Sequence, residues 1–410
     1  MHDVLIIGGG AAGFFTAINL AEKQSAHKNP LKIAILERGK EVLTKVRVSG
    51  GGRCNVTHAC FVPRDLVKYY PRGEKELLGP FNRFCSGDTI TWFEEHGVEL
   101  KIEEDGRMFP TTDSSQTIID CFLHAAQRHH IDILTGHSVQ SLYHNGTHWK
   151  VETPNQTLLC KHLVMATGSN PKMWELLEKL GHTVVHPVPS LFTFNIKDKR
   201  IKDLMGVAAF ATVKVKNSKL SASGPLLITH WGMSGPGILR LSAWGARTLF
   251  DKNYQFVLEV NWLNDLTLEE TENQLKGLKL EHAKKVVAKK SPFDFPNRLW
   301  ESLVVASEIY LETKWADLSK KQLQNLALQL TNGKFQVNGK STFKEEFVTA
   351  GGIDLKEVNF KTMESKLLPN LYFAGEILNI DAITGGFNFQ NAWTGGWIVS
   401  ESISSDTARD

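Results

Sequence analysis

The sequence predicts an α/β fold in which a Rossmann-like domain is interrupted by an inserted β-barrel-like domain and a small helical domain. Three apolar runs, residues 3–7, 163–166 and 371–374, each lead into a glycine-containing turn. Buried parallel strands have this apolar character, and open α/β sheets bind ligands at the carboxyl ends of such strands. Between the last two runs, residues 187–259 contain short β-rich stretches, and the composition turns helical from Thr267. Two halves of one α/β domain are therefore expected to flank an insertion.

The opening segment has the order strand, turn, helix, strand. Residues 3–7 predict a buried strand, and the glycines that follow lead into a small-residue helix that continues to about Lys23. Residues 32–37 predict the next strand. This order is that of a nucleotide-binding unit in a doubly wound sheet.

The inserted segment changes in character along its length. Polar and apolar residues partly alternate over residues 209–215, which predicts a strand of a small antiparallel sheet or barrel. Thr267 and Glu270 have the spacing of a capping box, so a helix is expected to begin there. Residues 317–330 predict another helix, and β-like sequence returns near Phe335.

A chain of 410 residues can form two or three compact units, because domains usually contain roughly 100–200 residues. The sequence contains no internal repeat and no low-complexity tract. The predicted segments are residues 1–188 and 347–410 for the α/β domain, 189–262 and 333–346 for the β-rich insertion, and 263–332 for the helical subdomain.

The charge balance favours a small-molecule substrate over a nucleic acid. Charged residues make up 22% of the chain and the net charge is +3, which excludes a strongly basic arm and a disordered chain of high net charge. The first twenty residues lack a basic leader, so they predict strand and helix rather than a signal peptide. No window reaches the roughly 18 uninterrupted apolar residues of a membrane helix. We expect a cytoplasmic protein that has no membrane contact.

The cysteines indicate a reducing compartment. There are five, an odd number, and they have no CxxC spacing, so neither a disulfide framework nor a dithiol motif is predicted. The nearest pair, Cys54 and Cys60, lacks the tight spacing of a redox-active dithiol. No metal site is predicted.

The strongest motif is the turn Gly8-Gly9-Gly10-Ala11-Ala12-Gly13, which follows the first strand and opens the first helix. Gly8 allows the tight turn, Gly10 lets the backbone approach a pyrophosphate, and Gly13 permits close packing of helix and strand. The helix N-terminus supplies free N–H groups and the positive end of its dipole to the phosphates. Glu37, at the end of the next strand, is positioned to accept hydrogen bonds from a ribose, with a surface carboxylate as the alternative. Together these features predict a bound dinucleotide.

A second contact site for a dinucleotide is predicted near the C-terminus. A strand ends in Gly375-Glu376, and the pair Gly385-Gly386 opens another helix. NAD needs one such contact site, whereas an extended FAD uses two, so FAD is the predicted cofactor. The alternative is that the glycines serve only the packing of the helix. A helix N-terminus near the flavin favours its anionic reduced form. The predicted fold is thus a Rossmann-like FAD-binding domain that is interrupted by an insertion.

Three glycines precede an arginine in Ser49-Gly50-Gly51-Gly52-Arg53-Cys54-Asn55, which indicates a backbone that passes close to a flat or anionic group, with a tight solvent loop as the alternative. At this motif the chain resembles the BaiN/YhiN-like NAD(P)/FAD-dependent oxidoreductases, also called aminoacetone-oxidase-like flavoproteins. The resemblance covers nearly the whole chain. It is carried by residues 4–13, 49–55, 104–110, 164–168, 229–236, 349–353 and 371–396.

The resemblance implies that residues 51–55 lie along the FAD, that the Val139 backbone meets the adenine and that Gly168 lies near the pyrophosphate. The chain departs from the family at Leu43-Thr44, where a Gly-Arg or Gly-Lys pair is common, while Lys45 stays at its matching position. We expect tight, non-covalent binding of FAD. The predicted FAD-binding residues are Gly8, Gly10, Ala12, Gly13, Glu37, Arg38, Lys45, Gly51, Gly52, Arg53, Asn55, Val139, Thr167, Gly168, Gly375, Glu376, Gly386, Asn388 and Phe389.

Three residues are candidates for catalysis, and a fourth for substrate binding. His230 and Trp231 lie in a loop that resembles the family segment facing the flavin, and a histidine can move a proton near neutral pH. Cys54 lies beside the predicted flavin path and is a candidate reactive thiol, although buried cysteines are commonly inert. Arg107 is a candidate anchor for an acidic substrate or a phosphate. A structural contact of His230 and a turn salt bridge of Arg107 are the alternatives.

These observations predict an FAD-dependent oxidoreductase that transfers a hydride between the flavin and an unidentified small molecule. No second strand–GxGxxG–helix unit is visible, so NAD(P)H, if it is the donor, binds transiently without a Rossmann domain of its own. A flavin-dependent RNA-modifying enzyme and a non-catalytic flavin carrier or sensor are the alternatives. Lys276, Lys279, Lys284, Lys285, Lys289 and Lys290 form a basic stretch, but it lacks interleaved aromatic residues, so a solvated helical face is expected there rather than a nucleic-acid site.

Overall fold

The computed structural model describes residues 1–25, 29–264, 266–341 and 348–407. The chain forms two compact units, one from residues 1–188 together with 344–410 and one from residues 189–343. The two ends of the chain therefore build the first unit, and the second unit is formed by the segment between them.

The first segment of the chain alternates strands and helices. Its strands are β1 (His2–Ile7), β2 (Ile33–Leu36), β3 (Thr57–His58), β4 (Leu100–Ile102), β5 (Arg107–Pro110), β6 (Asp132–Leu134), β7 (Ser141–His144), β8 (Trp149–Glu152), β9 (Thr157–Met165) and β10 (Val184–Ser190). Its helices are α1 (Ala11–Gln24), α2 (Thr44–Gly52), α3 (Pro63–Leu66), α4 (Glu74–Phe81), α5 (Ser86–Glu95), α6 (Ser115–Arg128) and α7 (Pro171–Lys179), with a 3₁₀ turn at Val67–Tyr69.

The remaining elements belong to the middle and final segments. The middle segment contains β11 (Thr193–Ile196), β12 (Ala208–Val215), β13 (Ser221–Ile228), β14 (Gly232–Ser234), α8 (Pro236–Trp244), α9 (Ala246–Asp251), β15 (Gln255–Asn261), α10 (Leu268–Glu281), α11 (Asn297–Ala306), α12 (Lys320–Thr331) and β16 (Gly333–Ser341), with a 3₁₀ turn at Trp315–Asp317. The final segment contains β17 (Val348–Ile353), β18 (Val358–Asn359), β19 (Glu364–Ser365), β20 (Leu371–Phe373) and α13 (Phe387–Thr407), with a 3₁₀ turn at Leu355–Glu357.

The first unit is built on a nine-stranded sheet whose five parallel strands have the order β20-β9-β1-β2-β6. The antiparallel strands β18 and β19 continue the sheet beyond β20, and the antiparallel pair β7-β8 joins it at β9. The central strand β1 is fully apolar from Val4 to Ile7, as expected of a strand that is buried on both faces. Ile7 lies opposite Met165 of β9, and Met165 lies opposite Phe373 of β20. Because the three strands end at the same edge, the glycine turns that follow them come together there.

Helices α1 and α13 pack against each other through small residues. A Cβ added at Gly396 of α13 would lie 2.9 Å from the Thr16 hydroxyl oxygen and 3.1 Å from the Ala12 carbonyl oxygen of α1. The close packing brings the N-terminal ends of both helices to the edge where the strands end. Aromatic side chains complete this core, among them Phe14, Phe15, Trp92, Phe122 and Trp393.

The second unit contains a closed antiparallel barrel of six strands in the order β11-β14-β13-β12-β15-β16. Its interior and helices α10 to α12 share one hydrophobic core, to which the barrel contributes Phe335 and the helices contribute Trp300 and Leu326. The predicted capping box is confirmed, since Thr267 N donates to Glu270 Oε2 (2.8 Å) and Glu270 N donates to Thr267 Oγ1 (3.2 Å).

The predicted fold class, a Rossmann-like domain interrupted by a barrel and helices, is confirmed. The division into five segments at the predicted limits stays a prediction. Within the described ranges, no helix is both long enough and apolar enough to cross a membrane. The same residues contain no group of three or more His, Cys, Asp or Glu side chains that could hold a metal ion.

Candidate flavin site

The turn between β1 and α1 has the geometry that a phosphate site requires. Gly8 has φ +114°, and a Cβ there would lie 2.3 Å from the Ala166 carbonyl oxygen, so only glycine is accommodated. Gly10 precedes α1 without any side-chain cap, and a Cβ added to it would meet no atom within 4 Å. Space is therefore open in front of the first N–H groups of α1, where a pyrophosphate would be bound by hydrogen bonds and the helix dipole.

Glu37 lies beside this turn and is held by backbone amides. Its Oε2 accepts a hydrogen bond from Gly9 N (3.0 Å), and its Oε1 accepts one from Gly39 N (2.7 Å). A cavity of about 280 Å³ adjoins the carboxylate and is lined by Gly8, Arg38, Val139 and Thr167, all predicted to contact FAD. The Thr167 hydroxyl is buried and has no hydrogen-bond partner within the described part of the chain. The cavity and this unsatisfied hydroxyl fit the adenosine end of an FAD.

The glycine-rich run at the end of α2 is an unwound helix end with an open side. Helix α2 departs from helical angles at Ser49, and Gly50 and Gly51 have φ +58° and +69°. A Cβ added at Gly51 or Gly52 would meet no atom within 4 Å, so a ligand can approach this backbone closely. In the amide orientation that satisfies both of its polar atoms, Asn55 Oδ1 accepts from Gly386 N (2.9 Å). This bond joins the run to the C-terminal glycine pair.

Arg53 and Arg107 make their principal contacts within the protein. Arg53 Nη1 donates to Glu103 Oε1 (2.6 Å), and its guanidinium lies 3.9 Å from the centre of the Phe109 ring. Hydrogen bonding to Glu103 raises the pKa of Arg53. Arg107 donates to Asp105 Oδ2 (2.7 Å) and to Glu103 Oε2 (3.1 Å). The salt-bridge alternative for Arg107 is therefore the arrangement observed, and a role of Arg53 in FAD binding stays a prediction.

Cys54 is fully buried and has φ +61°. Burial raises the pKa of its thiol to about 12. The thiolate is the reactive form of cysteine, so a protonated, inaccessible thiol does not favour the redox role considered for Cys54. The structure gives it the environment of a packing residue.

The strand end at Gly375-Glu376 meets the first glycine turn. A Cβ added at Gly375 would lie 3.2 Å from Ala12 Cβ, so the two backbones approach closely. Glu376 Oε2 accepts a hydrogen bond from Lys45 Nζ (2.6 Å), and a Cβ at Gly168 would lie 3.7 Å from that carboxylate oxygen. Predicted site residues from four separate parts of the sequence therefore come together at one edge of the sheet.

The pair Gly385-Gly386 directly precedes the N-terminus of α13. Gly386 has φ +88°, and a Cβ there would lie 2.5 Å from the Thr57 carbonyl oxygen. Asn388 holds the preceding loop, because its Oδ1 accepts from Ala382 N (3.0 Å) and its Nδ2 donates to Ala382 O (3.2 Å). Phe389 stacks on Trp393 with ring centres 5.5 Å apart. These contacts hold the loop in front of α13, where the second dinucleotide contact is predicted.

The model of the HI0933-like protein Rossmann domain matches residues 2–402. The chain belongs to the HI0933-like family. A ribosomal RNA dihydrouridine synthase of Escherichia coli (strain K12) is 28% identical over 417 residues, covering 98% of both chains. A 3-dehydro-bile acid delta(4,6)-reductase of Clostridium scindens is 24% identical over 416 residues, covering 98% of this chain and 99% of the relative.

A solved structure supports the fold of this HI0933-like protein. The 3-ketosteroid-delta4-(5alpha)-dehydrogenase from Rhodococcus jostii RHA1 superposes with a TM-score of 0.51 at 13% identity, covering 98% of this chain and 96% of that one. The resemblance to BaiN/YhiN-like proteins is confirmed. By its family, the protein is an FAD-dependent oxidoreductase.

The HI0933-like protein also brings together residues that the motifs did not reveal. The rings of His58 and Tyr69 both stack on Phe387, with ring centres 4.6 Å and 4.3 Å away. Burial lowers the pKa of His58, and its Nδ1 is buried without a hydrogen-bond partner among the described residues. Arg72 Nε donates to the fully buried Asp381 (2.5 Å), next to the same loop. The signal that could have found this cluster in the sequence was Asp381, a charged residue between the apolar residues Ile380 and Ala382.

His230 and Trp231 lie in the second unit, on the turn between β13 and β14. The structure therefore does not place them in the cluster of FAD-site residues within the first unit. His230 is exposed, and its ring meets the Trp231 ring edge-on with centres 4.3 Å apart. Trp231 Nε1 donates to Thr193 Oγ1 (2.9 Å), which anchors the turn to the barrel.

Proposed function

We propose that this protein reduces a ring carbon–carbon double bond that is conjugated to a carbonyl group, and that its substrate is a uridine of ribosomal RNA. The observation that carries the proposal is the pair of full-length relatives. Formation of dihydrouridine saturates a ring double bond of uracil, and a delta(4,6)-reductase of a 3-dehydro bile acid saturates ring double bonds of a steroid. Both are additions of hydride and proton to a conjugated double bond, which is a reaction that a reduced flavin supports.

In this proposal, the first unit would supply the binding functions that the reaction needs. The open N-terminus of α1 at Gly10 would hold the pyrophosphate, and Glu37 would accept hydrogen bonds from the adenosine ribose. The N-terminus of α13 after Gly386 would direct its positive dipole end at the flavin and favour the anionic reduced form. Bound FAD, once reduced, supplies the hydride. FAD binding is proposed to be tight and non-covalent.

The overall balance is the transfer of a hydride from NAD(P)H through the flavin to one carbon of the double bond, and of a proton to the other. NAD(P)H is the proposed donor and would bind transiently. His230 is the proposed proton donor, because it is an exposed imidazole on the turn that resembles the family segment facing the flavin. Replacing His230 by glutamine should lower turnover and alter its pH profile without changing FAD content. An unchanged pH profile would remove His230 from the mechanism.

The test is formation of dihydrouridine. Ribosomal RNA from cells that lack this protein is incubated with the FAD-loaded protein and NADPH or NADH, then digested to nucleosides for mass spectrometry. The proposal expects dihydrouridine to accumulate only when protein and donor are both present. Ribosomal RNA that stays unmodified although NAD(P)H reduces the flavin would contradict the choice of substrate.

A second candidate is a small cyclic enone, as favoured by the full-length bile acid reductase relative. It agrees with the small-molecule substrate that the charge balance predicts. A 3-oxo-4,6-diene steroid offered to the protein under the same conditions would lose its conjugated ultraviolet absorbance if this candidate is right. No change in that absorbance, with dihydrouridine formed in parallel, would exclude it in favour of RNA.

A further inference from the structure

The second unit carries a lysine-rich surface that the proposed chemistry does not use. Residues 276–290 contain six lysines and one glutamate. The fold adds two more lysines, because Lys314 lies opposite Val286 in an antiparallel bridge and Lys320 lines a cleft with two of the six. We call this set the lysine surface. Its members are Lys276, Lys279, Lys284, Lys285, Lys289, Lys290, Lys314 and Lys320.

The lysine surface carries an excess of positive charge. Seven of the eight side chains are exposed, and none of the eight forms an ion pair with a carboxylate within the described ranges. Lys279 is the half-buried one, and its Nζ donates to the Leu318 carbonyl (2.5 Å). Glu281, the single acid of residues 276–290, lies 3.6 Å from His282. Like charges gathered on one face repel each other and attract an anionic partner.

Apolar and aromatic side chains are exposed beside these charges. Leu280 is 82% exposed and lines the cleft between α10 and α12, which has a volume of about 310 Å³ and contains one acid, Glu272. Tyr310 is 83% exposed and begins a turn in which Thr313 N donates to the Tyr310 carbonyl (3.0 Å). The Thr313 carbonyl accepts from Val287 N (2.9 Å), so this turn is joined to the lysine-bearing segment. The structure thus supplies an aromatic ring that the linear sequence around the lysines lacks.

We propose that the lysine surface binds the phosphate backbone of ribosomal RNA, with Tyr310 available to stack on an unpaired base. The inference rests on the proposed function, in which ribosomal RNA is the substrate. Lysines neutralise phosphates as point charges, and exposed aromatic rings bind bases through stacking. The exposed side chains Leu280, Tyr310 and Leu311 (46% exposed) come from two separate segments, whereas a helix that lies on a membrane presents a continuous apolar face. RNA is therefore favoured over an anionic lipid surface.

The test compares two quadruple variants of the full-length, FAD-loaded protein. The first carries Lys284→Gln, Lys285→Gln, Lys289→Gln and Lys290→Gln. The control carries Lys214→Gln, Lys216→Gln, Lys219→Gln and Lys252→Gln, which are exposed lysines of the barrel in the same unit. Both variants lose four positive charges at exposed positions, so a general effect of net charge is the same in both.

Binding of deproteinised ribosomal RNA from cells that lack this protein is measured by filter binding over a series of KCl concentrations. Each lysine that contacts a phosphate contributes about one to the slope of log affinity against log salt. The first variant should therefore bind at least about tenfold more weakly at low salt, with a slope smaller in magnitude by about four, one for each lysine replaced. The control should retain the wild-type slope and affinity. Thermal unfolding should be the same for all three proteins.

The outcomes separate this inference from the proposed function, because dihydrouridine is measured in the same RNA. Selective loss of RNA affinity in the first variant supports the lysine surface even if no protein forms dihydrouridine, in which case the proposed function alone fails. Equal RNA affinity and slope in both variants would overturn the inference, whether or not dihydrouridine is formed. Loss of binding to vesicles that contain phosphatidylglycerol, without loss of RNA binding, would overturn it in favour of a membrane.

Discussion

Replacing Gly10 by alanine separates FAD binding from the stability of the fold. Gly10 precedes α1 with φ −99° and ψ −167°, an extended conformation that alanine adopts readily. A Cβ at this position meets no protein atom within 4 Å. The added methyl group therefore enters only the space that we assign to the pyrophosphate.

The expected magnitude follows from the contact that the methyl group displaces. Loss of one hydrogen bond to a charged phosphate costs about 1.5–3 kcal/mol. Since about 1.4 kcal/mol corresponds to a factor of ten, FAD should bind roughly 10- to 150-fold more weakly. The free energy of unfolding of the FAD-free protein should change by less than about 1 kcal/mol. Alanine is a clearly poorer N-cap than glycine, but it also reduces the entropy of the unfolded chain, which offsets much of that loss.

The assay is titration of FAD-free protein with FAD, followed by quenching of FAD fluorescence, with urea unfolding in parallel. Gly277→Ala is the matched control, because a Cβ at Gly277 also meets no atom within 4 Å and the residue lies in α10 of the second unit. The control should bind FAD as the wild type does. Wild-type FAD affinity in the Gly10→Ala protein would refute the placement of the pyrophosphate at this turn.

Three further predictions concern stability and charge. Gln390→Leu removes the buried acceptor of the Thr57 and Thr89 hydroxyls and should lower the free energy of unfolding by about 2 kcal/mol. The control Gln324→Leu, at an exposed position, should have little effect, and equal effects of the two substitutions in urea unfolding would contradict this. Because burial raises the pKa of Cys54 to about 12, the unfolded thiol ionises first as pH rises above about 9. The unfolded state then binds fewer protons than the folded state, so the free energy of unfolding falls as pH rises. In urea unfolding at several pH values, Cys54→Ala should reduce this fall by up to about 1.4 kcal/mol per pH unit, and an unchanged pH dependence would be inconsistent with the buried thiol. Lys45→Gln should leave thermal unfolding unchanged, since the side chain is 59% exposed, but should make FAD binding weaker and less dependent on salt. FAD binding with the salt dependence of the wild type would argue against a contact between Lys45 and a phosphate.

The fold class could be predicted because its signals are local. A strand that runs into glycines and then into a helix is visible within about 20 residues, and Thr267 with Glu270 marks a helix start within four residues. Closure of the barrel could not be predicted in this way. It depends on the pairing of β11 with β16, in which Thr193 lies opposite Ser341, and no local pattern specifies a register across that distance.

The candidate site shows the same division between local and distant signals. The glycines at positions 8, 10, 375 and 386 could be recognised because their roles follow from backbone conformation and from the helix that follows. The partner of Arg53 could not, because Glu103 is 50 residues away and only the packing of β3 to β5 brings it close. The glycines before Arg53 therefore indicated a backbone close to a flat or anionic group, whereas the contact of Arg53 with the Glu103 carboxylate became visible only in the folded chain.

The most direct test of the central claim is the two-step reaction of the flavin under anaerobic conditions. The purified protein is mixed with NADPH or NADH in a stopped-flow spectrophotometer, and the reduced protein is then mixed with ribosomal RNA from cells that lack it. We expect the visible absorbance of the oxidised flavin to disappear in the first step and to return in the second, in proportion to the dihydrouridine formed. A flavin that NAD(P)H reduces but that neither ribosomal RNA nor a conjugated cyclic enone reoxidises would contradict the proposal that this protein is a reductase of conjugated double bonds.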